Sequence, residues 1–88
     1  MTDSLEDRVE ATTRLLIAAC REKSVLLSGD LRVTEADAAA LLNIAPGYLK
    51  QMRTGDGSAP RHYRIPMSGC QVSYRLRDIA VWIEIGTE

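Results

Sequence analysis

The sequence predicts a mostly α-helical chain with one small β-hairpin, an α+β class, and three observations carry the prediction. Apolar residues recur at helical spacing from Ser4 to Leu27. Two short helical patterns, "TEADAAALLN" and "PGYLKQMR", follow with almost nothing between them. Two segments rich in β-formers, "RHYRI" and "QVSYR", then flank "PMSGC" and lead into a last apolar helix, "DIAVWIEI".

Each element has a local reason. In the first helix Leu5, Val9, Thr12, Leu16 and Ala19 alternate at spacings of four and three, and Ser28 and Gly29 after "VLL" supply a left-handed stop. Leu31 to Val33 reads as a short extended link. Thr34 is placed to cap a second helix, with Asp37 three residues on completing a capping pair against the helix dipole. Ala36, Ala38, Ala39 and Ala40 keep that helix thin enough for close packing. Leu41 and Leu42 fill its end, Asn43 tolerates the left-handed turn, and Ile44 plugs the corner. Pro46 opens a third helix at the position where a missing N–H costs nothing, and Leu49 and Met52 face inward from it. "TGDGSAP" is a loop by its punctuation. Ser68 and Gly69 form the hairpin tip, and Pro66, which cannot donate, ends the first strand. In the last helix Ile79, Trp82 and Ile83 form the inward stripe and Asp78 sits at its positive end.

At 88 residues, with 45% hydrophobic and 26% charged, the chain is sized and composed for one small globular core. No stretch nears the roughly 18 apolar residues of a membrane span, and the acidic start "MTDSLEDRVE" is unlike a signal peptide, so a cytoplasmic location is expected. Cys20, Cys70 and the single His62 cannot assemble a zinc site or a disulfide framework, so no metal and no cofactor is expected. His62 and Cys70 lie on opposite strands of the hairpin with no carboxylate placed to orient the histidine, and no phosphate loop or dinucleotide turn is present; an enzyme is not expected. The net charge of −1 hides an asymmetry. Residues 1–44 carry five cations against eight carboxylates, whereas residues 47–77 carry Lys50, Arg53, Arg61, Arg64, Arg75 and Arg77 against Asp56 alone.

Helix, tight turn, short helix, loop, hairpin and closing helix is the order of a winged helix-turn-helix. The run "VTEADAAALLNIAPGYLKQMRTGDGSAPRHYRI" with "VSYRLRDIAVWIE" resembles the MerR-type winged helix domain of excisionase-like phage and mobile-element proteins. The resemblance covers roughly residues 33–84. It is carried by Thr34, Asp37, Ala38, Ala39, Leu41, Leu42, Asn43, Ile44, Pro46, Leu49, Gly55, Gly57, Pro60, Tyr74, Asp78 and Trp82. It implies a DNA-binding domain over 31–88, which the amphipathic helical element over residues 1–30 precedes, with a recognition helix at about 46–54 in the major groove of double-stranded DNA. On that basis Tyr48, Lys50 and Gln51 are candidate base readers, and Gly47 lets the backbone come close. Arg53, Arg61 and Arg64, with Arg75 beside the wing and Thr34 at a helix start, are candidate phosphate contacts.

Two departures from the family pattern stand out. Ala45 occupies the place of the usual Ser or Thr cap, a loss of about 1 kcal/mol. The wing tip lacks arginines and offers Ser68, Gly69, Gln71 and Ser73 instead. A single copy should therefore bind modestly, and the first-helix stripe of Leu5, Val9, Thr12, Leu16 and Ala19 is the candidate interface of a homodimer, with packing on the chain's own core as the alternative. The expected function is non-catalytic DNA binding, as an excisionase-like recombination factor acting with an integrase or as a transcriptional regulator acting on the transcription machinery. A protein-contact module and the DNA-recognition unit of a packaging terminase are the alternatives.

Overall fold

The computed structural model describes residues 4–87. The chain runs α1 (Leu5–Glu22), β1 (Arg32–Thr34), α2 (Glu35–Leu41), α3 (Pro46–Thr54), β2 (Ser73–Arg75) and α4 (Leu76–Gly86). The architecture is mostly helical with a small two-stranded antiparallel sheet and a long N-terminal helix, the α+β class that the periodicities imply.

Ser4 caps α1 by accepting from the Asp7 amide at 3.1 Å. The helix ends at Glu22, several residues before the expected stop at Gly29. Ser24 takes the left-handed conformation with φ of 55°, and the amides of Ser24 and Val25 return to the carbonyls of Arg21 and Cys20 at 3.3 and 2.8 Å. This paired return satisfies the last carbonyls and turns Val25 and Leu27 onto the core, which is the reason the helix stops there. α2 is capped as its sequence indicates. Thr34 Oγ1 accepts from the Asp37 amide at 3.2 Å and donates to Asp37 Oδ2 at 3.1 Å. Its far end closes through Asn43, with φ of 58°, and an Ile44 amide bonded to the Ala39 carbonyl at 2.9 Å.

The link at residues 31–33 becomes part of a strand. β1 pairs with β2 in the register Arg32 with Arg75, Val33 with Tyr74 and Thr34 with Ser73. The hairpin expected between "RHYRI" and "QVSYR" is correspondingly thin. It consists of single bridges at Tyr63 with Ser73 and at Met67 with Cys70, closed by Ser68 and Gly69, both at positive φ. The arm from Tyr63 to Met67 is one residue longer than the arm from Cys70 to Ser73, and Pro66 offers no N–H, so a continuous ladder cannot form. α4 starts at Leu76, two residues ahead of the expected Asp78, because the Leu76 amide is bonded to the Leu31 carbonyl at 3.0 Å.

Val9, Leu16 and Cys20 of α1 share one core with Val33, Ala38, Ala39, Leu49, Val72, Tyr74, Leu76, Ile79 and Ala80. α1 lies along α4, and Glu84 of α4 accepts from Arg8 Nε at 3.3 Å and Thr12 Oγ1 at 2.7 Å. The stripe expected to join two copies is thus used within the chain. Val9 and Leu16 are buried against the closing helix, Thr12 is bonded to it, Ala19 is half-buried, and only Leu5 keeps substantial exposure. An amphipathic stripe needs a covering surface, and α4 is that surface.

Candidate nucleic-acid interface

α3 is held by its inner face and free on its outer one. Leu49 is fully buried and Met52 packs beside it, while Gly47, Tyr48, Lys50 and Gln51 are exposed. Ala45 precedes the helix with no side-chain cap, as the sequence implies. Gly55 ends it, and a Cβ there would meet the Gln51 carbonyl oxygen at 2.8 Å, so any larger residue would force the backbone apart. A Cβ at Gly47 would meet nothing within 4 Å, so no contact inside the chain demands glycine there.

A cleft of about 240 Å³ separates α3 from the hairpin. Lys50 and Arg53 line one wall, Cys70, Gln71 and Val72 the other, and Glu35 joins them from the start of α2. A second, shallower cleft of about 330 Å³ borders the opposite flank of α3, between Tyr48, Gln51 and Met52 and the loop residues Gly55, Asp56 and Ser58. The backbone of that loop is tied to the closing helix by Trp82 Nε1, which donates to the Ser58 carbonyl at 2.7 Å.

The candidate phosphate residues do not act as one set. Arg53 is drawn inward. Its Nε and Nη2 donate to Glu35 at 2.7 and 3.1 Å, its side chain is only 9% exposed, and Tyr74 Oη donates to the same Glu35 carboxylate at 2.6 Å. Burial pushes the Glu35 carboxyl up, but the hydrogen bonds from Arg53 and Tyr74 and the charges of Arg53 and Lys50 outweigh it and hold the group below its usual value. Burial, then the bond to Glu35, push the Tyr74 phenol well up. Thr34 is likewise unavailable, being buried with its hydroxyl engaged in the cap of a short helix.

Their contacts divide the remaining arginines. His62 lies 6.3 Å from the Tyr74 ring, on the α3 side, and its pKa is lowered by burial first and then by the nearby charges of Arg53 and Arg64. Arg64 is exposed and near enough to His62 for its charge to act on the imidazole. Arg61 and Arg75 turn the other way, their guanidinium carbons 5.4 and 4.9 Å from the Tyr63 ring centroid. Arg75 also donates to Asp30 at 3.2 Å. Ser28, Arg32 and Arg75 all donate to Asp30 and hold its carboxyl well below the carboxylate range. The wing residues Ser68, Gly69 and Gln71 are exposed at the far end of the hairpin, with Ile65 beside them 45% exposed.

Sequence reasoning missed Glu35 and Asp30 as anchors of Arg53 and Arg75. Neither carries a sequence signal, since each reaches a partner on a distant element. Among the described residues no group of three or more His, Cys, Asp or Glu is placed to hold a metal ion, and no helix is long and apolar enough to cross a membrane. Cys20 and Cys70 are free thiols, and burial, with Asp37 adding to it, pushes the Cys20 thiol up. No protein-family model, curated protein or solved structure matches this chain.

Proposed function

We propose that this chain is a small, non-catalytic DNA-binding protein that lays the outer face of α3 in the major groove. The observation that carries the reading is the cleft in which Lys50 of α3 faces Gln71 of the hairpin. A helix and a wing are presented side by side there, and the one carboxylate lining the cleft, Glu35, is already neutralised by Arg53. On this reading Gln51 reads a base edge through its amide, Lys50 reaches guanine or a phosphate, and Tyr48 supplies contact area. Arg64 adds a phosphate contact from the wing side. With Arg53 held inside, a single copy engages about two or three phosphates. Such a count gives a loss of about 10- to 40-fold in affinity between about 50 and 200 mM salt. An excisionase-like or regulatory role follows from the sequence resemblance and uses the same contacts.

A protein-contact role is the second reading. It is favoured by an apolar groove of about 590 Å³ lined by Leu41, Leu42, Trp82, Ile83 and Ile85 on the α2 and α4 side.

Fluorescence anisotropy with a mixed-sequence duplex, across a salt series, separates the two. The DNA reading expects salt-dependent binding with the shallow slope given above. It also expects Lys50→Ala to flatten that slope by about one unit, and Gln51→Ala to relax preference at one or two base pairs. Absence of binding at low salt rejects it.

A further inference from the structure

We propose that Glu35 limits the affinity of the α3 face: it occupies Arg53 and thereby withholds one phosphate clamp from every duplex, whatever its sequence. The inference rests on the DNA-binding reading above and deepens it.

The geometry has three parts. Arg53 sits on the wall of the cleft between α3 and the hairpin, where a backbone phosphate beside a helix in the major groove would pass. Two of its guanidinium nitrogens are used by Glu35, with which it forms a bidentate pair, and only 9% of its side chain is exposed. Glu35 is in turn fixed from the other side by the Tyr74 hydroxyl at 2.6 Å, and Tyr74 is fully buried in the sheet, so the carboxylate cannot swing away to release the arginine. The same carboxylate lies close enough to Lys50 for their charges to interact. A phosphate entering the cleft therefore meets Lys50 opposed by Glu35, with Arg53 already satisfied.

Phosphate contacts add affinity without adding sequence information. Removing one of them lowers binding to all sequences by the same factor, so the ratios between sequences are unchanged. A carboxylate at the start of α2, set against the DNA-binding helix, thus limits affinity for every duplex by the same factor and leaves the differences between sequences to the base-contacting residues of α3.

The test is fluorescence anisotropy of the full chain with a mixed-sequence duplex over a salt series, for the wild type, Glu35→Gln and the double variant Glu35→Gln with Arg53→Gln. Glutamine keeps one oxygen that can accept from Tyr74 but replaces the other by an NH2 group that cannot accept from Arg53, so the charge and the bidentate pair are lost together. Freed Arg53 should give Glu35→Gln a slope steeper by about one unit and a mixed-sequence affinity about tenfold higher at about 0.1 M salt. The double variant should return to the wild-type slope, although a cation has been removed from the face. Wild-type binding with an unchanged Glu35→Gln slope, fold intact by circular dichroism, overturns the inference and leaves the DNA reading standing. Absence of wild-type binding overturns both. If Glu35→Gln does not fold, the double variant decides: a slope shallower than wild type by one unit means that Arg53 already grips a phosphate, and the inference fails.

Discussion

Leu15 and Leu16 are neighbours in α1 and differ only in where the helix points them. Leu16 is 8% exposed, in the shared core, whereas Leu15 is 70% exposed. Truncating a buried leucine removes its transfer free energy and leaves a cavity, together about 2–5 kcal/mol. Leu16 keeps a small solvent edge, so about 2.5 kcal/mol is expected for Leu16→Ala. An 88-residue chain has about 4–13 kcal/mol of stability in total, which makes this a large fraction and a fall of about 10–20 °C in Tm. Leu15→Ala should change stability by no more than about 0.5 kcal/mol, since little surface is lost and alanine is the better helix former. Urea unfolding followed by circular dichroism, at two protein concentrations about 50-fold apart, measures both. Equal effects at the two positions would refute the packing of α1 on α4. So would a Leu16→Ala loss that grows with dilution, because the stability of an interface between copies depends on concentration and that of an internal core does not.

Two further outcomes follow from local geometry and electrostatics. Ser24→Gly should stabilise the chain by about 0.5–1 kcal/mol, because Ser24 is exposed with φ of 55°, a conformation that glycine adopts without strain; a loss of stability in thermal melts would contradict the description of the α1 stop. His62 has a folded pKa below its unfolded value of about 6.5, so the unfolded chain takes up its proton first, and stability should fall as pH drops below about 6.5 and level off once the folded form also protonates. Arg64→Gln removes one of the cations that disfavour the imidazolium and should move the His62 midpoint upward in an NMR titration; an unmoved midpoint would show that the Arg64 charge does not reach the imidazole.

The elements that the sequence reveals are those specified by residues close together. Thr34 and Asp37 lie three apart and cap α2 by themselves, and Asn43 makes its turn through its own backbone tolerance. Ser24 makes an equivalent turn, yet serine carries no such mark, while Gly29 does; the end of α1 was therefore expected at the wrong residue. The β1 to β2 ladder joins Arg32 to Arg75, and nothing within a three-residue strand announces a partner so far along the chain. The stripe of α1 was legible as a face that must be covered. What covers it was not, because periodicity reports that a surface is apolar and says nothing about which surface meets it. The candidate base readers show the same division. Leu49 and Met52 locate the inner face of α3, so Tyr48, Lys50 and Gln51 fall outside by geometry alone.

The arginines obey a different logic, because a charge counted along the chain is not a charge presented in space. The acidic first half and the basic second half look like separate territories in the sequence, but the fold interleaves them. Asp30 of the first half takes Arg75 of the second, and Glu35 takes Arg53. A carboxylate at 2.7 Å from a guanidinium that is 9% exposed removes that cation from the long-range field, whereas an exposed pair such as Arg75 with Asp30 is screened and exchangeable. The two pairs therefore differ in kind: a phosphate can displace Asp30 from Arg75 at little cost, but taking Arg53 from Glu35 would strand a partly buried carboxylate between Tyr74 and Lys50. What remains is Lys50, exposed on the cleft wall, and Arg64, exposed and near enough to His62 for its charge to act there. On the proposed DNA-binding reading, so few cations give a weak nonspecific attachment, and preference among sequences rests on Gln51, Tyr48 and the reach of Lys50 to guanine.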